Sequence, residues 1–199
     1  MPKKRIILGI VLAFILWYLV FLSNLLYSFW FRVTGASIVL MLYAKYYKEK
    51  KIEILCFSLV KVILGIFSGF ALYSLFFIGF SVFKPFVSDG AVNVYRFRSE
   101  LSLTIPAILL FITSFCEESF WIAFIQENLF KLYGRFGIII TSLLYALIHL
   151  PTFNYPLVFA ALIAGLYWGL LYFYTNSFWV VVFSHIVWTE LIFVLVPLK

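Results

Sequence analysis

Residues 101–132 read LSLTIPAILLFITSFCEESFWIAFIQENLFKL, and this stretch decides the fold class. It is long and apolar enough to cross a bilayer as one α-helix, which takes about 20 residues. Two adjacent carboxylic acids, Glu117 and Glu118, stand near its middle. Because a charged side chain at that depth is costly unless it faces a partner or water, we expect both residues to face the interior of a helix bundle.

The composition extends this expectation to the whole chain. Of its 199 residues, 65% are hydrophobic and 12% are charged, whereas a soluble domain has about 45–50% and about 25%. The formal net charge is +7, but the basic residues cluster between apolar runs and do not form a basic face with exposed aromatic rings. This distribution indicates orientation in a lipid bilayer and no nucleic-acid partner.

The apolar runs predict an all-α bundle of about seven transmembrane helices, within a range of six to eight. We expect it to be a single membrane-embedded domain over residues 1–199. The weakest boundary lies near Ser23 and Asn24. The polar stretch Lys84–Glu100 contains Pro85 and Gly90 and predicts a surface loop. The predicted spans are 5–24, 27–46, 54–83, 101–132, 135–150, 155–173 and 177–197.

The basic residues outside these spans favour one orientation. The basic and then apolar start resembles a signal peptide, but no small-residue cleavage site follows, so we expect a retained first helix. With the N-terminus in the cytoplasm, nine basic residues lie inside and four outside, which agrees with the positive-inside rule. The inside set is Lys3, Lys4, Arg5, Lys45, Lys48, Lys50, Lys51, Lys131 and Arg135, and the outside set is Lys84, Arg96, Arg98 and Lys199.

Four ionisable residues inside the spans form a candidate catalytic set: Glu117, Glu118, His149 and His185. Other ionisable residues, Arg32, Lys61 and Glu127, lie close enough to span ends to reach the interface; Glu190 also falls within a span. Since lipid would penalise the four together, we expect their helices to converge on a wet cavity.

The chemistry of this set leaves two mechanisms open. Adjacent residues are about 100° apart on a helix, so one carboxyl group can face the cavity and the other a neighbouring helix. The two should titrate as a coupled pair, which suits a general base with a supporting acid, while the histidines share the water and stabilise the oxyanion. Alternatively, Glu117, His149 and His185 could hold Zn²⁺ with one open position.

The two cysteines, Cys56 and Cys116, lie in apolar segments and are expected to be buried thiols rather than a disulfide. Cys116 is a poor candidate nucleophile because it lacks the cationic surroundings that stabilise a thiolate.

Three motifs on successive predicted helices resemble those of one family. Glu117–Ile122 is similar to Glu-Glu-x-x-x-Arg, Tyr145–His149 to Phe-x-x-x-His, and His185–Thr189 to His-x-x-x-Asn or His-x-x-x-Asp. This is the pattern of the CAAX-protease and bacteriocin-processing family of intramembrane peptidases, and the likeness covers the catalytic core region, about residues 101–197.

The resemblance implies an endopeptidase that cleaves near the C-terminus of a membrane-associated protein or peptide, in the plasma membrane of a prokaryote. It implies that Glu117 and His149 activate water, that His185 helps to hold the oxyanion, and that Glu118 is the supporting carboxylate. No cofactor is favoured, although members have also been described as metalloproteases, so zinc stays the alternative.

This chain departs from the family pattern at two positions. Ile122 replaces the arginine one turn after Glu118, so Glu118 must be protonated or paired from another helix, by Lys61 or Arg32. Thr189 offers a hydroxyl in place of an asparagine amide as oxyanion support, whereas Tyr145 for phenylalanine is interpreted as conservative. These departures motivate the main alternative, a catalytically impaired member that acts as a membrane scaffold, immunity or regulatory protein. A transporter is disfavoured because the sequence shows no paired broken helices.

Overall fold

A computed structural model describes residues 2–23, 28–47 and 57–198 of the chain. These residues form helices and short connections, with no strand among them. The helices are α1 Pro2–Leu22, α2 Phe29–Tyr47, α3 Leu59–Tyr95, α4 Thr104–Phe120, α5 Glu127–Tyr133, α6 Phe136–Leu147, α7 Tyr155–Thr175 and α8 Phe178–Thr189. Short 3-10 turns follow α3 at Arg96–Ser99 and α6 at Leu150–Thr152.

Two π-helical turns extend these helices. One, Trp121–Gln126, joins α4 to α5, and the other, Glu190–Leu195, continues α8. Since α4 and α5 thus form one rod, the described residues contain seven helical rods, and the prediction of an all-α bundle of about seven is confirmed. Five apolar spans within the described residues are long enough to cross a bilayer: Lys3–Leu22, Leu59–Ser99, Thr104–Tyr133, Tyr155–Thr175 and Phe178–Leu195. The protein is an integral membrane protein.

Some predicted features lie outside the described residues. These are the start of the third predicted span, Asn24, Cys56, Lys48, Lys50, Lys51 and Lys199.

The predicted surface loop at Lys84–Glu100 is wrong. α3 continues to Tyr95 and changes direction at Phe83, whose φ of −105° and ψ of 18° are not helical. Pro85 follows two residues later, and a proline fits the first turn of a helix because no N–H is needed there. Pro85 therefore starts a second helical segment. That segment contacts the start of α7, where Asn154 Nδ2 donates to the Gly90 carbonyl at 2.8 Å.

The rod formed by α4 and α5 occupies the centre of the bundle. In its most apolar 18-residue window 72% of the residues are buried, compared with 17% in the span that contains α3. α4 packs against α2 and α8, and α3 lies along α8. Gly65 and Gly69 permit this last contact, since a Cβ on either would lie 2.8 Å from a backbone oxygen of α8. Small residues four apart commonly allow such close approach in membranes.

Glu100 fixes the start of α2 beside the start of α4. Its Oε2 accepts hydrogen bonds from Ser28 Oγ at 2.8 Å and from the Phe29 N–H at 2.7 Å. The first N–H groups of a helix have no partner within the helix, so this carboxylate supplies one. Further along, Thr34 Oγ1 lies 2.9 Å from Thr113 Oγ1. These contacts set the register of α2 against the helix that carries Glu117 and Glu118.

Candidate active site

The structure buries all four candidate ionisable residues inside the bundle. Glu117 and Glu118 lie on α4, His149 lies two residues after the end of α6, and His185 lies on α8. Their exposed fractions are 5%, 3%, 8% and 3%, so none of the four faces lipid.

Glu118 and His185 form a direct pair between α4 and α8. Glu118 Oε1 lies 2.7 Å from His185 Nδ1, a distance typical of a charge-assisted hydrogen bond. The indole of Trp168 stacks on the imidazole, with ring centroids 3.8 Å apart and planes inclined by 23°. Glu118 thus has His185 as its partner on another helix, a pairing that was not among the two alternatives from the sequence, protonation or pairing with Lys61 or Arg32.

Glu118 also lines a small cavity between α4, α6 and α7. Glu118 Oε2 and Trp121 Nε1 are both buried without a hydrogen-bond partner, and both residues line this cavity, which has room for about one water molecule. Ile122 lines it too, so the position where the family has an arginine does adjoin Glu118. The rest of the wall consists of Thr141, Ser142, Tyr145, Gly165 and Trp168.

Glu117 faces α2 and α6. Tyr145 Oη donates to Glu117 Oε2 at 2.9 Å, and Ser37 Oγ lies 3.4 Å from Glu117 Oε1. Ser37 also donates to the Val33 carbonyl at 2.8 Å, and a hydroxyl has only one proton to give. Tyr145 is therefore the main donor to Glu117, and the interpretation of Tyr145 as a conservative replacement overlooked this hydroxyl.

His149 has a partner at each ring nitrogen. Its Nδ1 lies 2.9 Å from the Tyr145 carbonyl oxygen, and its Nε2 accepts from Trp17 Nε1 at 3.3 Å. A carbonyl can only accept, so we assign the proton to Nδ1 and the lone pair to Nε2. Tyr145 thus contacts Glu117 through its hydroxyl and His149 through its backbone.

Thr189, the candidate oxyanion support, is buried one turn after His185. Its hydroxyl lies 3.0 Å from the carbonyl oxygens of both His185 and Ile186, and 3.4 Å from Ser114 Oγ. Its proton is thus directed to its own helix. To donate to an oxyanion, the hydroxyl would have to rotate away from these carbonyl groups.

Each of the two π-helical turns begins close to a candidate residue. One follows Glu118 within three residues, and the other follows Thr189 directly. Such turns occur frequently at functional sites in helical proteins.

The arrangement does not fit the alternative zinc set. In the described part of the chain, no three His, Cys, Asp or Glu side chains lie together closely enough to hold a metal ion. Trp17 occupies the Nε2 lone pair of His149, and the proton on Nδ1 prevents that nitrogen from acting as a ligand.

Sequence reasoning missed the contacts that Trp17, Ser37, Trp168 and the hydroxyl of Tyr145 make with the candidate residues. A tyrosine hydroxyl within a predicted span needs a partner, so Tyr145 carried a usable signal. Trp17 and Ser37 lie far from the motifs, and no local pattern distinguishes them from other buried residues of α1 and α2.

Comparison with known proteins identifies the segment that carries these residues. Residues 99–190 match the family model described as type II CAAX prenyl endopeptidase Rce1-like. No curated protein and no solved structure matches the chain. The matched residues include all four buried ionisable side chains, and in this segment the chain is similar to the CAAX-protease family.

Proposed function

We propose that the protein is an intramembrane endopeptidase that hydrolyses a peptide bond near the C-terminus of a membrane-associated protein or peptide. The observation that supports this most is the burial of two carboxylic acids and two histidines, on α4, after α6 and on α8, in the segment that matches the family. Burying this set is costly without a use for it, and such intramembrane residues generally mark functional sites.

The proposed reaction uses one water molecule and no covalent enzyme intermediate. Glu117 takes a proton from water while the water oxygen bonds to the carbonyl carbon, and His149, which Tyr145 connects to Glu117, helps to hold that water. His185, held by Glu118, then stabilises the oxyanion. When the C–N bond breaks, the proton passes to the leaving nitrogen, which yields a carboxylic acid and an amine. Thr189 supplies a second donor to the oxyanion once its hydroxyl rotates.

We propose further that hydrolysis needs no metal ion. Incubation with EDTA or 1,10-phenanthroline should leave the cleavage rate unchanged, because the described geometry presents no metal-ligand set. The check is the rate before and after dialysis against chelator, together with the zinc content of the purified protein. Stoichiometric zinc whose removal abolishes cleavage would contradict this proposal.

We place the protein in the plasma membrane of a prokaryote with a cytoplasmic N-terminus. The excess of basic residues in the loops assigned to the cytoplasm supports this orientation. Cysteine-accessibility labelling at the ends of α3 and α7 tests it.

The decisive experiment measures cleavage by the purified protein in liposomes. The probes are two membrane-anchored peptides that differ only in a farnesyl group on a cysteine near the C-terminus, and mass spectrometry locates the cleaved bond. Glu117→Ala and His149→Ala should each abolish cleavage, and the double variant should lose no more, because base and partner act as one unit.

Glu127→Gln is the matched control. This glutamate lies on the same rod, but its Oε1 accepts from Tyr172 Oη at 2.6 Å, away from the cavity. We expect it to cleave like the unaltered protein. Undiminished cleavage by Glu117→Ala would eliminate Glu117 as the catalytic base, and no cleavage of either probe by the unaltered protein would contradict the protease hypothesis.

The alternative function, a catalytically impaired scaffold, immunity or regulatory protein, is favoured by Ile122 and by the indole that covers His149. It predicts that Glu117→Ala folds and retains its biological effect in cells while neither probe is cleaved by any variant.

A further inference from the structure

Glu118 and Trp121 line the same cavity, and each side chain has one polar atom that is buried without a hydrogen-bond partner. Glu118 Oε2 accepts and Trp121 Nε1 donates, and both are buried without a partner. Leaving such groups unpaired away from water costs about 1–3 kcal/mol each. Since both residues line one cavity with room for about one water molecule, a single bridging ligand could satisfy both atoms.

We propose that this cavity is a binding site for a single ordered water molecule, which joins Glu118 Oε2 to Trp121 Nε1. The water accepts from the indole N–H and donates to the carboxylate. Its second hydrogen bonds to a hydroxyl oxygen of Thr141 or Ser142, which also line the cavity. These hydroxyls donate to the carbonyl groups of Gly137 and Ile138 at 2.8 and 2.9 Å, so their lone pairs stay available.

The size and the polarity of the cavity both favour water over a cation. The cavity has room for about one water molecule, and a buried water makes about three hydrogen bonds. A cation would be repelled by the N–H of Trp121 and would leave that donor unpaired. An apolar ligand would satisfy neither atom.

This water gives Glu118 a partner although position 122 carries no cation. Glu118 is then held at both oxygens, by His185 at Oε1 and by the water at Oε2, and the imidazole is kept in the orientation seen beneath Trp168. That this orientation serves catalysis rests on the proposed function. The water site itself rests on the cavity and its unpaired atoms alone.

Infrared difference spectroscopy of the full-length protein in liposomes tests the site without any cleavage assay. The probe is water itself, exchanged for H₂¹⁸O. We expect an O–H stretching band of an internal water that shifts with the isotope and disappears in Trp121→Phe. The carboxyl band of Glu118, identified by its loss in Glu118→Gln, should also shift in Trp121→Phe and in Ser142→Ala.

Two control variants match these changes outside the cavity. Trp188 has an equally buried indole N–H without a partner, and Ser119 is a buried serine that donates to the Phe115 carbonyl at 2.7 Å. Trp188→Phe and Ser119→Ala should leave the Glu118 band in place. If the position of the Glu118 carboxyl band does not change in Trp121→Phe, or if no internal water band shifts with H₂¹⁸O, the water site is refuted.

Cleavage kinetics separate this inference from the proposed function. In an active protein, Trp121→Phe should lower kcat roughly tenfold with KM unchanged, as expected for one lost hydrogen bond to a charged group. A water band in a protein that cleaves neither probe would refute the protease and support the water site. Cleavage of a probe by a protein without the water band would support the protease and refute the water site.

Discussion

Replacing Tyr145 with phenylalanine isolates one hydroxyl of the candidate site. Tyr145 Oη donates to Glu117 Oε2 at 2.9 Å, and Glu117 is 5% exposed. A hydrogen bond to a charged group contributes about 1.5–3 kcal/mol. The phenylalanine ring keeps the edge contact with Trp121, at a centroid distance of 5.4 Å, and the backbone carbonyl still accepts from His149. The loss should therefore be confined to the support of Glu117.

We expect Tyr145→Phe to lower the free energy of unfolding by about 1.5–3 kcal/mol. The contact of Glu117 with Ser37, at 3.4 Å, is too long to compensate. The measurement is reversible unfolding in mixed detergent micelles by titration with SDS. In the proposed enzyme the same change should lower kcat/KM by roughly 10-fold to 100-fold, since each 1.4 kcal/mol is a factor of ten.

Tyr167→Phe is the control for this change. Its hydroxyl lies 2.8 Å from Ser68 Oγ and 3.0 Å from the Ser68 carbonyl oxygen, between α3 and α7. We expect it to affect stability without a selective effect on kcat. If Tyr145→Phe unfolds and cleaves like the unaltered protein, the hydroxyl does not support Glu117, and the tyrosine is the conservative replacement that the sequence suggested.

Two further predictions concern Glu100 and Ile122. Glu100→Ala should lower the free energy of unfolding by about 1–3 kcal/mol, because the Phe29 N–H and the Ser28 hydroxyl lose their acceptor. Glu100→Gln, which retains an acceptor oxygen, should lose less in the same SDS titration, and equal losses would contradict the role assigned to the carboxylate. Ile122→Arg should preserve cleavage and abolish the internal water band, because the guanidinium reaches Glu118 through the same cavity. Ile122→Met provides the uncharged control. If Ile122→Arg folds but cleaves no better than Glu117→Ala, the pairing of the arginine with Glu118 is refuted.

The helices were predictable because the hydrocarbon core dictates the length of an apolar run. The exception is the second half of α3, where Pro85 and Gly90 were interpreted as signals for a loop. A proline two residues after a kink is compatible with a new helical turn. Gly90 packs against Pro156 and Asn154, and sequence proximity does not reveal a contact with a residue so distant in the chain.

The site was predictable only for residues that are costly in a membrane. Glu117, Glu118, His149 and His185 are conspicuous in an apolar sequence, and the structure buries all four. Their partners depend on which helices are neighbours, and one-dimensional spacing does not specify this. The pairing of Glu118 with His185 across α4 and α8 was missed for that reason, although both residues had been singled out.

The first two helices contribute directly to a site whose motifs all lie in residues 99–190. Trp17 on α1 contacts His149 Nε2, and Ser37 on α2 contacts Glu117. In the proposed reaction the lone pair of His149 must face water, so the indole of Trp17 has to move aside or be replaced there by the reacting water. Because Trp17 lies on α1, access to the His149 lone pair is set by a helix outside the matched segment. The matched segment therefore does not contain all the side chains that contact the candidate residues, since Trp17 and Ser37 lie outside it.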